Sequence, residues 1–338
     1  MQSRGIGISL VSNESVGNIE LLKKKLEKAE EIGFDSVELP IQGMKIIRNG
    51  EIDGHRLNAY AEVLKQYSLR YTTHAPFDIN LFRSADREID RKCFIASLEI
   101  SGALEAATMV YHVGRYIGEE HFLYKDQWPL YNDREKQLLL SEERSFLQYA
   151  GEMATGLNVR IGMENMRPYL DCPDYCYSVI PSVLAEQVRH INHPNVGITL
   201  DTGHAFLASN MYQLDLQAEV DAIRPYVVHL HVHDNFGRPC FSTEKNQYEL
   251  YTLGRGDMHM PIGDGAVPMT EIARWLGGAV DGYMVHEIRE MYEPQWHTLL
   301  NRTQRHSGGS FGTPSVSLTG SNLCRPAARF ESSPWRRQ

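Results

Sequence analysis

RIGMENMRPYLDCPDYCYSVIPSVLAEQVRHINHPNVGITLDTGHA, residues 160–205, decides the fold. It opens on a short apolar run that stops at Glu164, passes through an amphipathic segment over 179–190, and returns to a second apolar run that stops at Asp201. Short strand, helix, short strand is the βα unit of a parallel sheet. The same alternation extends outward in both directions. Strands are predicted over 5–11, 36–39, 70–74, 109–112, 160–164, 197–201, 227–231 and 283–287. Helices are predicted over 19–32, 55–67, 87–107, 134–154, 179–190, 214–223, 269–276 and 294–304. Eight βα units imply a closed (β/α)8 TIM barrel of the α/β class. An open doubly wound sheet is the alternative, but no GxGxxG follows the first strand.

The barrel is expected to occupy residues 1–306 as a single domain. From Ser307 the chain turns abruptly to Ser, Gly, Pro and Arg without a sustained period, so 307–338 reads as a disordered or non-native tail on which no function rests. Of the 338 residues 42% are hydrophobic and 23% charged, enough apolar material for a large core. A net charge of −9, from 34 Lys and Arg against 43 Asp and Glu, argues against nonspecific adhesion to nucleic acid or membranes. The five cysteines lack paired metal-knuckle spacing, and their odd number speaks against a disulfide framework, as expected for a reducing cytoplasm. Neither a cleavable leader nor a membrane-spanning run is expected.

Active sites of such barrels lie at the C-terminal ends of the strands. Here six strands end on a possible metal ligand: His74, His112, Glu164, Asp201, His231 and Glu287. So many acids and imidazoles in one barrel mouth would repel or stay unsatisfied unless cations held them together. LDTGHA adds His204, and GDMHMPIGDG adds Asp257 and His259, whose i, i+2 spacing would aim both side chains the same way in extended chain. Nine mixed donors suit up to three ions, and their types suit zinc or manganese. His229 and His233 share a strand face with His231 and are read as hydrogen-bonding support for the ligands.

Together these landmarks resemble the xylose isomerase-like barrel superfamily, which includes sugar-phosphate isomerases and epimerases and the abasic-site endonuclease IV group, AP endonuclease family 2. They are HAPFDINL at His74, YHVG at His112, MEN at Glu164, LDTGHAF at Asp201 and His204, HVHD at His231, DMH at Asp257 and His259, GDG at 263–265, and HE at Glu287. The resemblance spans residues 1 to about 305. It implies one zinc on His74, His112 and Glu164, a second on Glu164, Asp201, His231 and Glu287, and a third on His204, Asp257 and His259. Family isomerases need only the Glu164, Asp201, His231 and Glu287 set. Three departures from endonuclease IV weigh against duplex DNA as substrate: Phe77 stands where Tyr is preferred, Gly203 replaces Cys, and HVHDN replaces HxND with a following Lys.

Retention of all nine donors puts phosphoester hydrolysis first: a metal-activated water attacks phosphorus, Glu164 bridges two ions, and His204, Asp257 and His259 hold the ion nearest the leaving oxygen. The second reading is isomerisation or epimerisation of a sugar or sugar phosphate, with one ion polarising a carbonyl while Glu164 and Glu287 move a proton from and to carbon. Glu164, Glu287 and His204 are thus the expected catalytic residues. Arg115, Arg167, Arg255 and Arg289, near the strand ends, are candidate contacts to a phosphate or sugar.

Overall fold

A computed structural model describes residues 3–277 and 280–306; the tail boundary and 307–338 lie outside the described residues. Eight parallel strands close into a barrel in chain order: β1 Gly5–Ser9, β2 Ser36–Pro40, β3 Arg70–His74, β4 Thr108–His112, β5 Arg160–Glu164, β6 Val196–Asp201, β7 Val227–Val232 and β8 Tyr283–His286. The last seals against the first, with Gly5 opposite Tyr283 and Ile8 opposite His286. Apart from the first residues of β1, β3 and β5 and Val228 in β7, the strand residues are buried, as a sheet covered on both faces requires.

Helices on the outside close the core. Leu22 and Leu26 of helix Ile19–Ile32 pack with Phe34 and Trp296, while Leu147, Leu184 and Ile161 belong to the larger cluster on the other side; each such side chain contributes about 1.5–3 kcal/mol. Asn18 caps Ile19–Ile32 and Gly33 ends it in the left-handed region at φ 95°. Asn132 and Glu135 form a capping box on Asp133–Leu157. Two features depart from the sequence expectation. A hairpin, Ile47–Arg48 with Glu51–Ile52, follows β2. A helix, Thr202–Tyr212, starts directly after β6, ahead of Leu216–Ile223. Among the described residues no helix is long and apolar enough to cross a membrane.

Register aligns the strand ends. His112 lies opposite Glu164, Asp201 opposite His231, and His286, just before Glu287, opposite Val232. The acidic and imidazole side chains therefore enter the mouth at one level.

Candidate active site

Glu164 is the hub. Its Oε1 lies 3.1 Å from His231 Nδ1, and its Oε2 lies 3.1 Å from His112 Nε2 and 3.4 Å from His74 Nε2. Glu287 Oε2 reaches the same His231 Nδ1 at 3.2 Å. Asp201 caps the following helix by accepting from the His204 N–H at 2.7 Å. Ligand atoms of Glu164, Asp201, His231 and Glu287 all fall within 4.8 Å of one another, as do those of His74, His112 and Glu164.

A third group surrounds Asp257, whose Oδ2 is 3.1 Å from His204 Nε2 and 2.8 Å from His259 Nε2. His233 joins it: its ring stacks on His259 at 4.1 Å, and its Nε2 is 3.0 Å from Asp201 Oδ2. The segment carrying Asp257 and His259 is not extended, because His259 has φ 45°. The left-handed backbone of His259, rather than strand alternation, accompanies the approach of the two side chains.

Backbone carbonyls fix three of the imidazoles. His74 Nδ1 bonds Ala75 O at 2.7 Å, His204 Nδ1 bonds Asn165 O at 2.9 Å, and His259 Nδ1 bonds Glu287 O at 2.7 Å. A carbonyl only accepts, so each Nδ1 carries the proton and each Nε2 is turned toward the carboxylates. This is how histidine is prepared as a metal ligand.

The site is buried and densely charged. Burial would raise the Glu287 carboxyl, yet the charge of His231, with His259, holds it down at about 2. Glu164 is likewise held well below the usual carboxylate range against its burial, chiefly by His231. Burial disfavours the charged form of His231, but Glu38, Glu287 and Glu164 raise it well above its ordinary value. Burial likewise opposes His204, which Asp201 and Asp257 raise to about 10. Burial pulls His112 down to about 4. The carboxylates thus demand positive charge, and imidazoliums supply it here. Glu164 Oε2, Glu287 Oε2, His74 Nε2 and Asp257 Oδ1 remain buried without a hydrogen-bond partner. Divalent cations, one to each donor group, would satisfy these atoms, so the residues fit a metal centre.

The sequence reading overlooked Glu38. It lies mid-strand in β2, 0% exposed, and reaches across the lumen to β7, with Oε1 3.0 Å from His231 Nε2 and Oε2 3.1 Å from His229 Nε2. Thr72 Oγ1 donates to it at 3.1 Å. An acidic side chain inside a short apolar strand, SVELP, was the available signal. His233 also proves to belong beside the third donor group. It explains a second sequence feature: a Cβ on Gly203 would fall 2.1 Å from His233 Cε1, so glycine there leaves room for the ring.

The four arginines divide. Arg115 is 1% exposed and spends Nη1 and Nη2 on the carbonyls of Phe77 and Ile79, 3.0 and 3.2 Å away. It ties down the loop after β3 rather than presenting a guanidinium to a substrate. Arg255 is paired with Glu244. Arg167 and Arg289 stand beside the Asp257 group.

Residues 26–306 match the xylose isomerase-like TIM barrel family. An uncharacterized protein of Methanocaldococcus jannaschii is 27% identical over 260 residues, covering 76% of this chain and 75% of its own. The crystal structure of a D-tagatose 3-epimerase-like protein superposes with a TM-score of 0.63 at 23% identity, over 90% of this chain and 98% of that one. That of D-psicose 3-epimerase with D-tagatose, from Clostridium cellulolyticum H10, gives 0.62 at 13%, over 91% and 99%. The expectation of a phosphoester hydrolase is corrected accordingly: most of the similar solved structures are sugar 3-epimerases. Donor count misled the sequence reading, because buried carboxylates can hold a ring of imidazoles for several kinds of metal chemistry. This chain belongs to the xylose isomerase-like TIM barrel family.

Proposed function

We propose that the protein is a divalent-metal-dependent epimerase or isomerase of a small sugar. The observation that carries this reading is the placement of Glu164 and Glu287, from strands three places apart in the barrel, against one imidazole nitrogen at 3.1 and 3.2 Å. Family membership and the ketose 3-epimerase structures support it.

Glu164, Asp201, His231 and Glu287 would hold a zinc or manganese ion, which polarises the substrate carbonyl and its neighbouring hydroxyl. The other two donor groups would hold further ions, up to three in all. One carboxyl of the pair, as the carboxylate, would withdraw the proton from the carbon next to the carbonyl; the other, entering the step protonated with the substrate bound, would give its proton to the opposite face, so that carbon inverts and the two carboxyls exchange protonation states. Burial of both carboxylates would limit stray protonation by water. His204 grips a substrate hydroxyl if its ion is absent.

The test is deuterium exchange. Metal-loaded protein incubated with D-psicose, D-tagatose and D-fructose in D2O should incorporate deuterium beside the carbonyl, seen by NMR, and Glu287→Gln should abolish it. No exchange into any member of a ketose and aldose panel would refute the proposal.

A further inference from the structure

We infer that Arg167 and Arg289 form an oxyanion-binding pair, so that the sugar handled by this protein carries a phosphate or carboxylate. The inference rests on the proposed sugar chemistry but goes beyond the neutral ketoses named for the similar structures.

Each arginine follows one of the two proton-moving carboxylates: Arg167 comes three residues after Glu164, and Arg289 two residues after Glu287. Both meet at the Asp257 and His259 pair: Arg167 Nη1 is 3.7 Å from Asp257 Oδ2, and the Arg289 backbone N–H donates to the His259 carbonyl at 3.1 Å. Arg167 is one-fifth exposed and held in place: Nε donates to Tyr169 Oη at 2.6 Å and Nη2 is 3.3 Å from Glu119. Its Nη1 is only loosely associated with Asp257, at 3.7 Å. Lys245 adds a third cation on the same Tyr169 hydroxyl, at 3.1 Å.

Arg289 is different. Among the described residues its guanidinium has no hydrogen bond or ion pair, and Nε is buried without a partner. Asp257 takes His204 and His259 on its Oδ2, and among the described residues neither of its oxygens pairs with Arg289. A partly buried guanidinium left unpaired beside a second one is unfavourable in the free protein. An incoming oxyanion reverses that cost, since guanidinium forks match phosphate or carboxylate bidentately.

The experiment is titration calorimetry of the metal-loaded protein with D-fructose, D-fructose 6-phosphate and D-fructuronate. An anionic ketose should bind about tenfold or more tighter than D-fructose, as charge-assisted hydrogen bonds allow. That advantage should fall to near unity in Arg289→Met and recover in part in Arg289→Lys. Which anion gains more identifies phosphate or carboxylate as the partner. Equal affinity for all three ligands overturns the inference. So does an advantage that survives in Arg289→Met, because the anion would then sit on the metal. Binding needs no turnover, so tighter anion binding without deuterium exchange would remove the epimerase reading and leave the arginine pair standing.

Discussion

Replacing Glu38 by Gln tests whether this buried carboxylate prepares His231 for its metal. Its Oε1 is 3.0 Å from His231 Nε2, on the far side of the ring from the Nδ1 that faces Glu164 and Glu287. The two atoms form an ion-pair contact, and a carboxylate on the far side of a ligand imidazole fixes ring orientation and strengthens the donor nitrogen. Gln is nearly isosteric and can still accept from Thr72, so the change removes charge rather than volume. A hydrogen bond to a charged group contributes about 1.5–3 kcal/mol against roughly 1 for a neutral one. The difference, about 0.5–2 kcal/mol, is about a 2- to 30-fold loss in affinity for the first ion, overlapping the low end of the roughly 10- to 100-fold range usual for such supporting residues. Competition with a chromogenic chelator for zinc and for manganese measures it, and thermal melting of the metal-free protein checks the fold. Affinity unchanged in a folded Glu38→Gln protein would refute the reasoning. His229→Gln, which touches only the other oxygen of Glu38, should cost less.

Other consequences can be measured on the same preparations. His231 and His204 are both held above neutral pH, His204 at about 10, so they carry protons in the metal-free protein that a cation must displace; affinity should rise with pH by about tenfold per unit for each proton released, and a flat profile between pH 6 and 8 would contradict this. Glu164→Gln should abolish proton exchange at carbon, whereas Asp257→Ala or His259→Ala should mainly raise KM and leave kcat within about tenfold; steady-state kinetics in which Asp257→Ala loses kcat as completely as Glu164→Gln would move Asp257 into the reaction itself. Gly203→Ala places a methyl 2.1 Å from the His233 ring and should cost about 1–3 kcal/mol of stability in denaturant unfolding; an unchanged midpoint would show that His233 moves freely.

Much of this was legible before the fold was known, for a topological reason. In a parallel barrel every strand delivers its last residue to the same end, so a list of strand ends already places His74, His112, Glu164, Asp201 and His231 together. What escaped depends on closure. Glu38 and His231 lie on strands separated by β1 and β8, and only a sealed lumen lets them meet. The helix Thr202–Tyr212 lacked a stripe because much of it is buried, Leu207 and Ala208 as well as Thr202 to Ala205. Arg115 read as a substrate contact because sequence shows its place after YHVG but not that two carbonyls lie beneath it. Spacing joined Asp257 to His259 correctly while giving the wrong backbone for it.

The sealing of β8 against β1 also sets an order of assembly. β3, β4 and β5 are successive in the chain and adjacent in the barrel, so His74, His112 and Glu164 have all been synthesised before the last three strands are made. The four-residue set cannot exist until Glu287 has been synthesised, and Glu287 directly follows the strand that shuts the wall. The four-residue donor set is therefore complete only in a chain that can also close the barrel, and a chain cut short before β8 lacks Glu287 and with it that set.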